Sequence, residues 1–363
     1  MNSDFVIIGA GIFGVELALK LAKENYTVTL IEKGDRILSQ ASRMNQNRVH
    51  LGFHYPRSLK TAQQAIESYD YFTNRFKNAI RPSIESFYMI SNESSRNINL
   101  NEYVTFCSKL NVNYRIKHKS LFDRYIDINK IEDDVFLADE TVFDIDYIRK
   151  QLIDELKKSS VNVVMNEKVN RIKVLSNNEK NIFTKSYIYK SDFIINCTYG
   201  EINNIIADIN CKIDLKFQNV LLPIISTNHY IPGMTIMDGP FCSVLPKGLT
   251  SSQYILSDVK KSVLDEASSL SELPDLSEIN KFNATSEIIE SMKNYIKFPE
   301  DFKVVDYWLT RKALSIQKND ERLTHVFSHN NTGIFSVLQG KISTSQTVFN
   351  NLIKLIKLIK LIK

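Results

Sequence analysis

The stretch Asp4 to Glu32, DFVIIGAGIFGVELALKLAKENYTVTLIE, constrains the fold more than any other part of the chain. Phe5, Val6, Ile7 and Ile8 form the short apolar run of a buried parallel strand, and Gly9, Gly11 and Gly14 follow at GxGxxG spacing. Val15, Leu17, Ala18, Leu21 and Ala22 then recur at helical period, and a second strand, Tyr26 to Ile31, ends in Glu32. The unit reads strand, glycine turn, helix, strand.

Each residue type answers a physical need. Gly9 permits the tight turn, Gly11 lets the backbone approach a pyrophosphate, and Gly14 lets helix and strand pack closely. Ile12 and Phe13 open the helix, whose free amides and partial positive charge face the phosphates. Glu32 lies 18 residues beyond Gly14, followed by Lys33, where a carboxylate can accept both hydroxyls of an adenosine ribose and disfavour a 2'-phosphate. Three glycines in a turn also occur without a ligand, but the flanking strand and helix and the spaced acid favour nucleotide binding.

A chain of 363 residues has room for two domains, and 43% hydrophobic with 24% charged residues is ordinary globular composition. The net charge of +5 is small for this length and owes part of its value to Lys354, Lys357, Lys360 and Lys363. It argues against nucleic acid as a partner and leaves room for a mildly basic cleft that takes an anionic small molecule. Cys107, Cys197, Cys211 and Cys242 lack metal-ligand spacing, so no metal site and no disulfide framework is expected. With a strand beginning by residue 4 there is no room for a signal peptide, and no apolar run nears the roughly 20 residues that span a bilayer, so a cytoplasmic location is expected.

Residues 39 to 62, SQASRMNQNRVHLGFHYPRSLKTA, are too long and too polar for a simple crossover. Ser42, Arg43, Asn45, Gln46, Asn47, Arg48, His50, His54, Tyr55 and Arg57 gather there around Gly52, where a reacting ring could be received. Residues 63 to 80 read as a helix with Ile66, Tyr69, Phe72 and Phe76 on its apolar face. From 82 to 143 the chain reads as short strands, SFYMI, VNYRIKH and VFLADETVF. Asp144 to Leu156 returns to helical period, and strands follow, one bearing Val169 and the last entering a turn at Asn196, Cys197, Thr198, Tyr199 and Gly200. Residues 205 to 303 are again strand-like and loop-rich, and the chain closes with a strand, a loop at Gly340 and Lys341, and a helix. The terminal LIKLIKLIKLIK has a three-residue period, which drifts about 60° per repeat on a helix, so its lysines spiral. It reads as an extension of the last helix or a frayed end, with a weak membrane-surface contact as the competing reading.

On the segments GAGIFG with Glu32, RVHLGFHYPRSLK, NCTYG and SVLQGKIST, the chain resembles the D-amino acid oxidase-like superfamily of FAD-dependent oxidoreductases. His50, Gly52, Tyr55, Ser58, Leu59 and Lys60 resemble the loop of the L-2-hydroxyglutarate dehydrogenase and oxidase branch, whereas MDGPFCSVLPKG, residues 237 to 248, looks more like relatives associated with surface-polysaccharide biosynthesis. The resemblance implies an α/β fold: a Rossmann-like FAD-binding domain assembled from 1–81, 144–204 and 304–363, with an inserted, mainly antiparallel α+β substrate domain from 82–143 and 205–303.

It further implies FAD contacts along four stretches. Gly9, Gly11, Ile12, Phe13, Gly14, Glu32 and Lys33 come from the N-terminal unit, and Ser42, Arg43, Val49, His50 and Gly52 from the polar loop. Val169, Cys197, Thr198 and Gly200 belong to the second turn, and Gly340, Lys341 and Ile342 lie near the flavin's pyrimidine end, where a positive field favours an anionic reduced ring. His50 is the candidate base for the substrate proton, with a structural hydrogen-bonding role as the alternative. Arg311 is the candidate fork for a substrate carboxylate, helped by Tyr55 and Tyr254; an ordinary salt bridge and core packing are the competing readings.

Three functions stand at this point. The first is oxidation of a CH-OH or CH-NH bond in a small anionic hydroxy or amino acid, the second is sugar or sugar-nucleotide oxidoreduction in glycan assembly, and the third is non-catalytic flavin binding with the basic tail as a contact. Nothing in the sequence selects an electron acceptor, so oxidase and dehydrogenase both stand.

Overall fold

The computed structural model describes residues 2–81, 84–94, 97–176, 178–239, 241–249, 252–316, 321–330 and 332–362. Its first strand, Asn2–Ile8, lies inside a parallel sheet between Ile188–Asn196 and Val28–Ile31, with Ile8 opposite both Asn196 and Ile31. Ile334–Leu338 extends the sheet beyond Ile188–Asn196, and Asn162–Val164 extends it beyond Val28–Ile31.

Phe5 to Ile8 are apolar without alternation because both faces of the strand are covered. Phe5 and Ile7 pack with helices Ile12–Lys23, Ile145–Lys157 and Ser345–Ile362. Val6 and Ile8 meet Ile172, Ile182 and Ile194 of an antiparallel meander, Val169–Val174, Lys180–Thr184 and Ile188–Asn196, on the other face. The sheet therefore ends its central strands at one edge, where the two glycine turns meet.

A second sheet of nine strands is mainly antiparallel. Leu215–Ser226 pairs along its length with Lys303–Ser315, and the sheet continues through Gln253–Asp258, Cys242–Pro246, Gly233–Met237, Ser86–Ser91, Ile131–Ala138 and Tyr114–His118. Helix Lys281–Met292 covers one face through Ile288, Ile289 and Met292.

Three expectations are corrected here. The strand expected to open the last nucleotide-domain segment at 304 is instead part of the nine-stranded sheet, because its register with Leu215–Ser226 runs unbroken from Ser315 to Asp306. The stretch read only as strands after residue 82 contains a helix, Leu100–Leu110, which buries Tyr103, Phe106, Cys107 and Leu110 and starts in a capping box between Asn99 and Glu102. The helix read from 63 to 80 runs from Leu59 to Arg75, because the Ser58 hydroxyl accepts the Thr61 amide and sets its start.

The terminal repeat continues the last helix, Ser345–Ile362, to the end of the described chain. Leu352, Ile356 and Ile359 are buried at i, i+4 and i+7, and Lys354 and Lys357 face water. Lys363, and the side chain of Lys360, lie outside the described residues. No described helix is long and apolar enough to cross a membrane.

Candidate active site

Two adjoining cavities of about 350 and 320 Å³ open at the edge where the sheets meet, and Ala41, Ser42, Tyr199 and Gln339 line both. The first is built around the glycine turn. Gly9 has a φ of +98°, and a Cβ on it would lie 3.0 Å from the Cys197 carbonyl oxygen. A Cβ on Gly14 would lie 2.0 Å from the Gly9 carbonyl oxygen, so helix and turn are in backbone contact. Gly11 caps the helix, and the Ile12 amide donates to the Ser42 hydroxyl at 3.0 Å.

Glu32 lines this cavity and also folds it: Oε2 accepts from the Ala10 amide at 2.7 Å and Oε1 from the Gly34 amide at 2.9 Å. Lys33 crosses to pair with Glu201. Val169, Cys197, Thr198 and Gly200 complete the wall. Their turn hangs on the buried Asn196, whose amide donates to the Ile202 carbonyl and the Ser336 hydroxyl while its oxygen accepts from Thr198. The sequence reading gave Asn196 no role beyond its place in the turn.

The second cavity receives Ile12 and Phe13 from the nucleotide layer, Arg48, His50, His54 and Tyr55 from the polar loop, Gly340, Lys341 and Ile342 from the late loop, and Gln218, Val220, Leu222 and Lys312 from the nine-stranded sheet. Tyr55 is delivered by the turn at Gly52, which holds a φ of +92° and accepts the Tyr55 amide at 3.0 Å. Among the described residues, the Tyr55 hydroxyl and His50 Nδ1 are buried without hydrogen-bond partners. Lys341 Nζ stands 4.0 Å from the centre of the Tyr55 ring. Gly340 is pinned by its amide, which donates to the Thr324 hydroxyl at 2.8 Å, and a Cβ there would lie 2.0 Å from the Arg322 carbonyl oxygen.

A buried network stands behind the loop. Arg48 donates to the Tyr88 and Thr235 hydroxyls, Tyr88 donates to Glu140 Oε2, and the Leu51 amide donates to Glu140 Oε1 at 2.6 Å. His50 Nδ1 is 4.0 Å from the same carboxylate. Burial raises the Glu140 carboxyl above its usual range, opposed by the Arg48 charge and by the hydrogen bonds from Tyr88 and Leu51.

Burial, with the neighbouring cations behind it, sets the protonation of the cavity. Burial first, and then Lys341, hold His50 well below the ordinary imidazole value; burial and Arg48 do the same to His54, so both rings are neutral near pH 7. Burial, followed by the Arg48 charge, brings the Lys341 ammonium down to about 7. Burial, followed by the Arg322 charge, brings Lys312 to about 8.

Five expected site residues fall elsewhere. Arg311 lines the first cavity, where Nε donates to Asn219 Oδ1 at 3.3 Å and Nη2 to the Pro274 carbonyl at 3.0 Å, so it does not face His50. Alternation along the strand points its neighbour Lys312 into the second cavity instead. Tyr254 is buried in the sheet core and accepts the Ile231 amide at 3.0 Å. Arg43 turns to Asp146 at 3.6 Å, Val49 is buried in a short ladder with Thr141, and Gly52 packs on Ala62. None of these four lines either cavity. Tyr254→Phe is accordingly expected to cost only about 1–2 kcal/mol in urea unfolding, through the orphaned Ile231 amide, and to leave cofactor content unchanged.

Sequence reading gave no role to Arg48, Glu140, Lys312 or Arg322. Arg48 was visible in the polar loop, but its partner Glu140 is 92 positions away, and nothing local pairs them.

A family model described as DAO, FAD dependent oxidoreductase, matches residues 4–333. An FAD-dependent monooxygenase, FPY4, of Fusarium mangiferae is 24% identical over 350 residues, covering 93% of this chain and 87% of the relative. Among solved structures, L-alpha-glycerophosphate oxidase from Mycoplasma pneumoniae with FAD bound superposes with a TM-score of 0.79 at 15% identity, over 98% of this chain and 95% of that one. Glycine oxidase from Geobacillus kaustophilus gives 0.76 at 12% identity, over 98% and 95%.

Proposed function

The chain belongs to the DAO family of FAD-dependent oxidoreductases, and on that premise we propose that it oxidises a CH-OH or CH-NH bond of a small anionic substrate in the second cavity. The observation that carries this reading is the cavity lining itself: neutral His50 stands among Arg48, Lys312, Arg322 and Lys341.

The residues fit FAD. The first cavity has a glycine cradle that a Cβ would fill, a helix N-terminus, and the Glu32 carboxylate. The second has room beside it and two orphaned polar atoms, Tyr55 Oη and His50 Nδ1. Gly9, Gly11, Ser42 and Thr198 would hold the diphosphate end, with Gly14 setting the close helix–turn contact behind them, and Glu32 the ribose. His50, Gly340, Lys341 and Ile342 would border the ring.

Bound FAD supplies the hydride acceptor. His50, kept neutral by burial and by Lys341, takes the hydroxyl or amine proton at a ring nitrogen as the hydride leaves carbon. Lys341 and Arg48 hold the substrate's anionic group and orient the C-H bond. Phe13, Val220 and Leu222 exclude water around it.

The test is the visible spectrum of the purified protein, then anaerobic addition of hydroxy acids, amino acids and sugar nucleotides. Bleaching of the flavin band by a hydroxy or amino acid supports the reading. Bleaching by a sugar nucleotide alone moves the substrate to the glycan class, and a flavin that nothing reduces overturns the assignment of this cavity.

A pH dependence follows. Lys341 and Lys312 bind an anion as ammonium groups, and their values in the anion-free protein are about 7 and about 8. Above those values binding must first take up a proton. The dissociation constant of an anionic inhibitor is expected to be flat below pH 6.5 and to rise up to about tenfold per unit for each lysine above it. A flat profile to pH 9 contradicts this.

A further inference from the structure

His50 has to take a proton in a setting that works against it. The substrate proton turns the ring into an imidazolium, and besides burial the groups that face it, Lys341, His54, Arg48 and Arg322, all disfavour that charge. Among the described residues, Glu140 is the one acid within ion-pair reach of the ring, with Oε1 4.0 Å from Nδ1.

The backbone puts the two side by side. Arg48 pairs with Val142 and Val49 with Thr141 in a short antiparallel ladder, so the next step of the same register sets His50 opposite Glu140. Opposed residues project to one face, and alternation sends Val49 the other way, into the core of the nucleotide layer. The Leu51 amide, next in the chain to His50, donates to Glu140 Oε1 at 2.6 Å, while the Tyr88 hydroxyl donates to Oε2 and Arg48 stands 3.8 Å from it. Glu140 is therefore fixed relative to the His50 backbone, and Oε1 keeps a second lone pair. On the ring, Nδ1 is sealed off and has no partner among the described residues, so the exposed part, 12% of the side chain, does not include it. The ring turns Nδ1 toward the carboxylate and away from the cavity.

We propose that Glu140 is the positioning residue for His50: a ring movement of about 1 Å lets Nδ1–H donate to Oε1, which leaves the Nε2 lone pair to receive the substrate proton. That proton moves from the hydroxyl or amine to Nε2 as the hydride leaves carbon. No proton passes to Glu140, whose charge balances the imidazolium that forms. The proposal rests on the reading of His50 as the base. Its competitor is an Nε2–H ring whose Nδ1 accepts from a donor, for which the orphaned Tyr55 hydroxyl stands nearest, with the two ring centres 5.3 Å apart.

The first test needs no substrate. In holoenzyme labelled with 15N-histidine, the His50 signals are those absent from the His50→Gln protein, and at pH 7 their nitrogen shifts are expected to report the proton on Nδ1. A proton on Nε2 overturns the proposal. The second test is a double-mutant cycle on anaerobic flavin reduction, using the hydroxy or amino acid that bleaches the flavin and variants checked for wild-type FAD content. His50→Gln is expected to slow reduction about 100-fold or more, and Glu140→Gln about tenfold. If Glu140 acts through His50, the double variant is within about twofold of His50→Gln alone; effects that multiply to about a thousandfold mean that Glu140 acts through the fold and overturn the proposal. An unchanged rate in Glu140→Gln overturns it too. The wild-type tautomer decides even if a variant does not fold. Nδ1–H in a protein whose flavin nothing reduces sinks the oxidation reading and leaves the pairing standing; Nε2–H in a protein that is reduced does the reverse.

Discussion

Gly14→Ala is expected to yield protein without FAD, or protein that does not fold. The added Cβ would sit 2.0 Å from the Gly9 carbonyl oxygen, a backbone atom that no side-chain rotation can move. Gly9 cannot retreat, since it occupies a φ of +98° against the Cys197 backbone. The helix cannot retreat either: Val15, Leu17, Ala18 and Leu21 are fully buried against Phe5, Ile7 and the last helix. Overpacking of this kind costs about 1–3 kcal/mol where neighbours can shift, and more where they are backbone. Gly11→Ala makes the contrast, because its Cβ meets only the Ser42 hydroxyl at 3.1 Å. That variant is expected to fold with near-wild-type melting temperature and to lose FAD affinity, since the methyl group stands where the diphosphate approaches. Flavin absorbance per protein and a thermal melt separate the two. A Gly14→Ala protein with full flavin content would show that this turn is not the close contact described above.

The same unit explains why so much of the fold was legible. An apolar run without alternation, three glycines and a spaced acid are local signals, and each demands one arrangement. What was not legible depended on which face a side chain takes or on residues far apart in sequence. Arg311 and Lys312 are adjacent, and the pleat sends one to each cavity, so a choice between them needs the register with Asn219 and Gln218. Tyr254 stands in YILS, apolar enough to be core on either face, and only pairing with Pro246 and Ile225 places its ring inward. Lys303–Ser315 has the same strand signal in either sheet, and its long register with Leu215–Ser226 decides. The helix Leu100–Leu110 was readable, by contrast: Asn99 and Glu102 are a capping box, and Tyr103, Phe106, Cys107 and Leu110 keep helical spacing.

Glu140→Ala carries the other large effect, and it tests the part of the site that sequence reading did not find. The carboxylate is buried and joins two pieces of chain: the polar loop, through the Leu51 amide and Arg48, and the nine-stranded sheet, through Tyr88, while Arg48 reaches on to Thr235 of the same sheet. Removing it leaves the Arg48 guanidinium buried without a counter-charge and the Leu51 amide without an acceptor. A broken buried pair of this kind costs about 3–5 kcal/mol, a large share of the roughly 5–15 kcal/mol that holds a domain together. Glu140→Gln keeps an acceptor for Leu51 and loses the charge together with the acceptor for the Tyr88 hydroxyl, so it is expected to cost less than the alanine in urea unfolding. Flavin reduction should separate geometry from charge. If Glu140 serves only the fold, the glutamine variant reduces its flavin at the wild-type rate; if it also sets Arg48 and His50, reduction slows about tenfold or more with FAD content unchanged. A loss below about 1 kcal/mol in the alanine variant would mean that Arg48 finds water or another partner, and that the loop is held by packing alone.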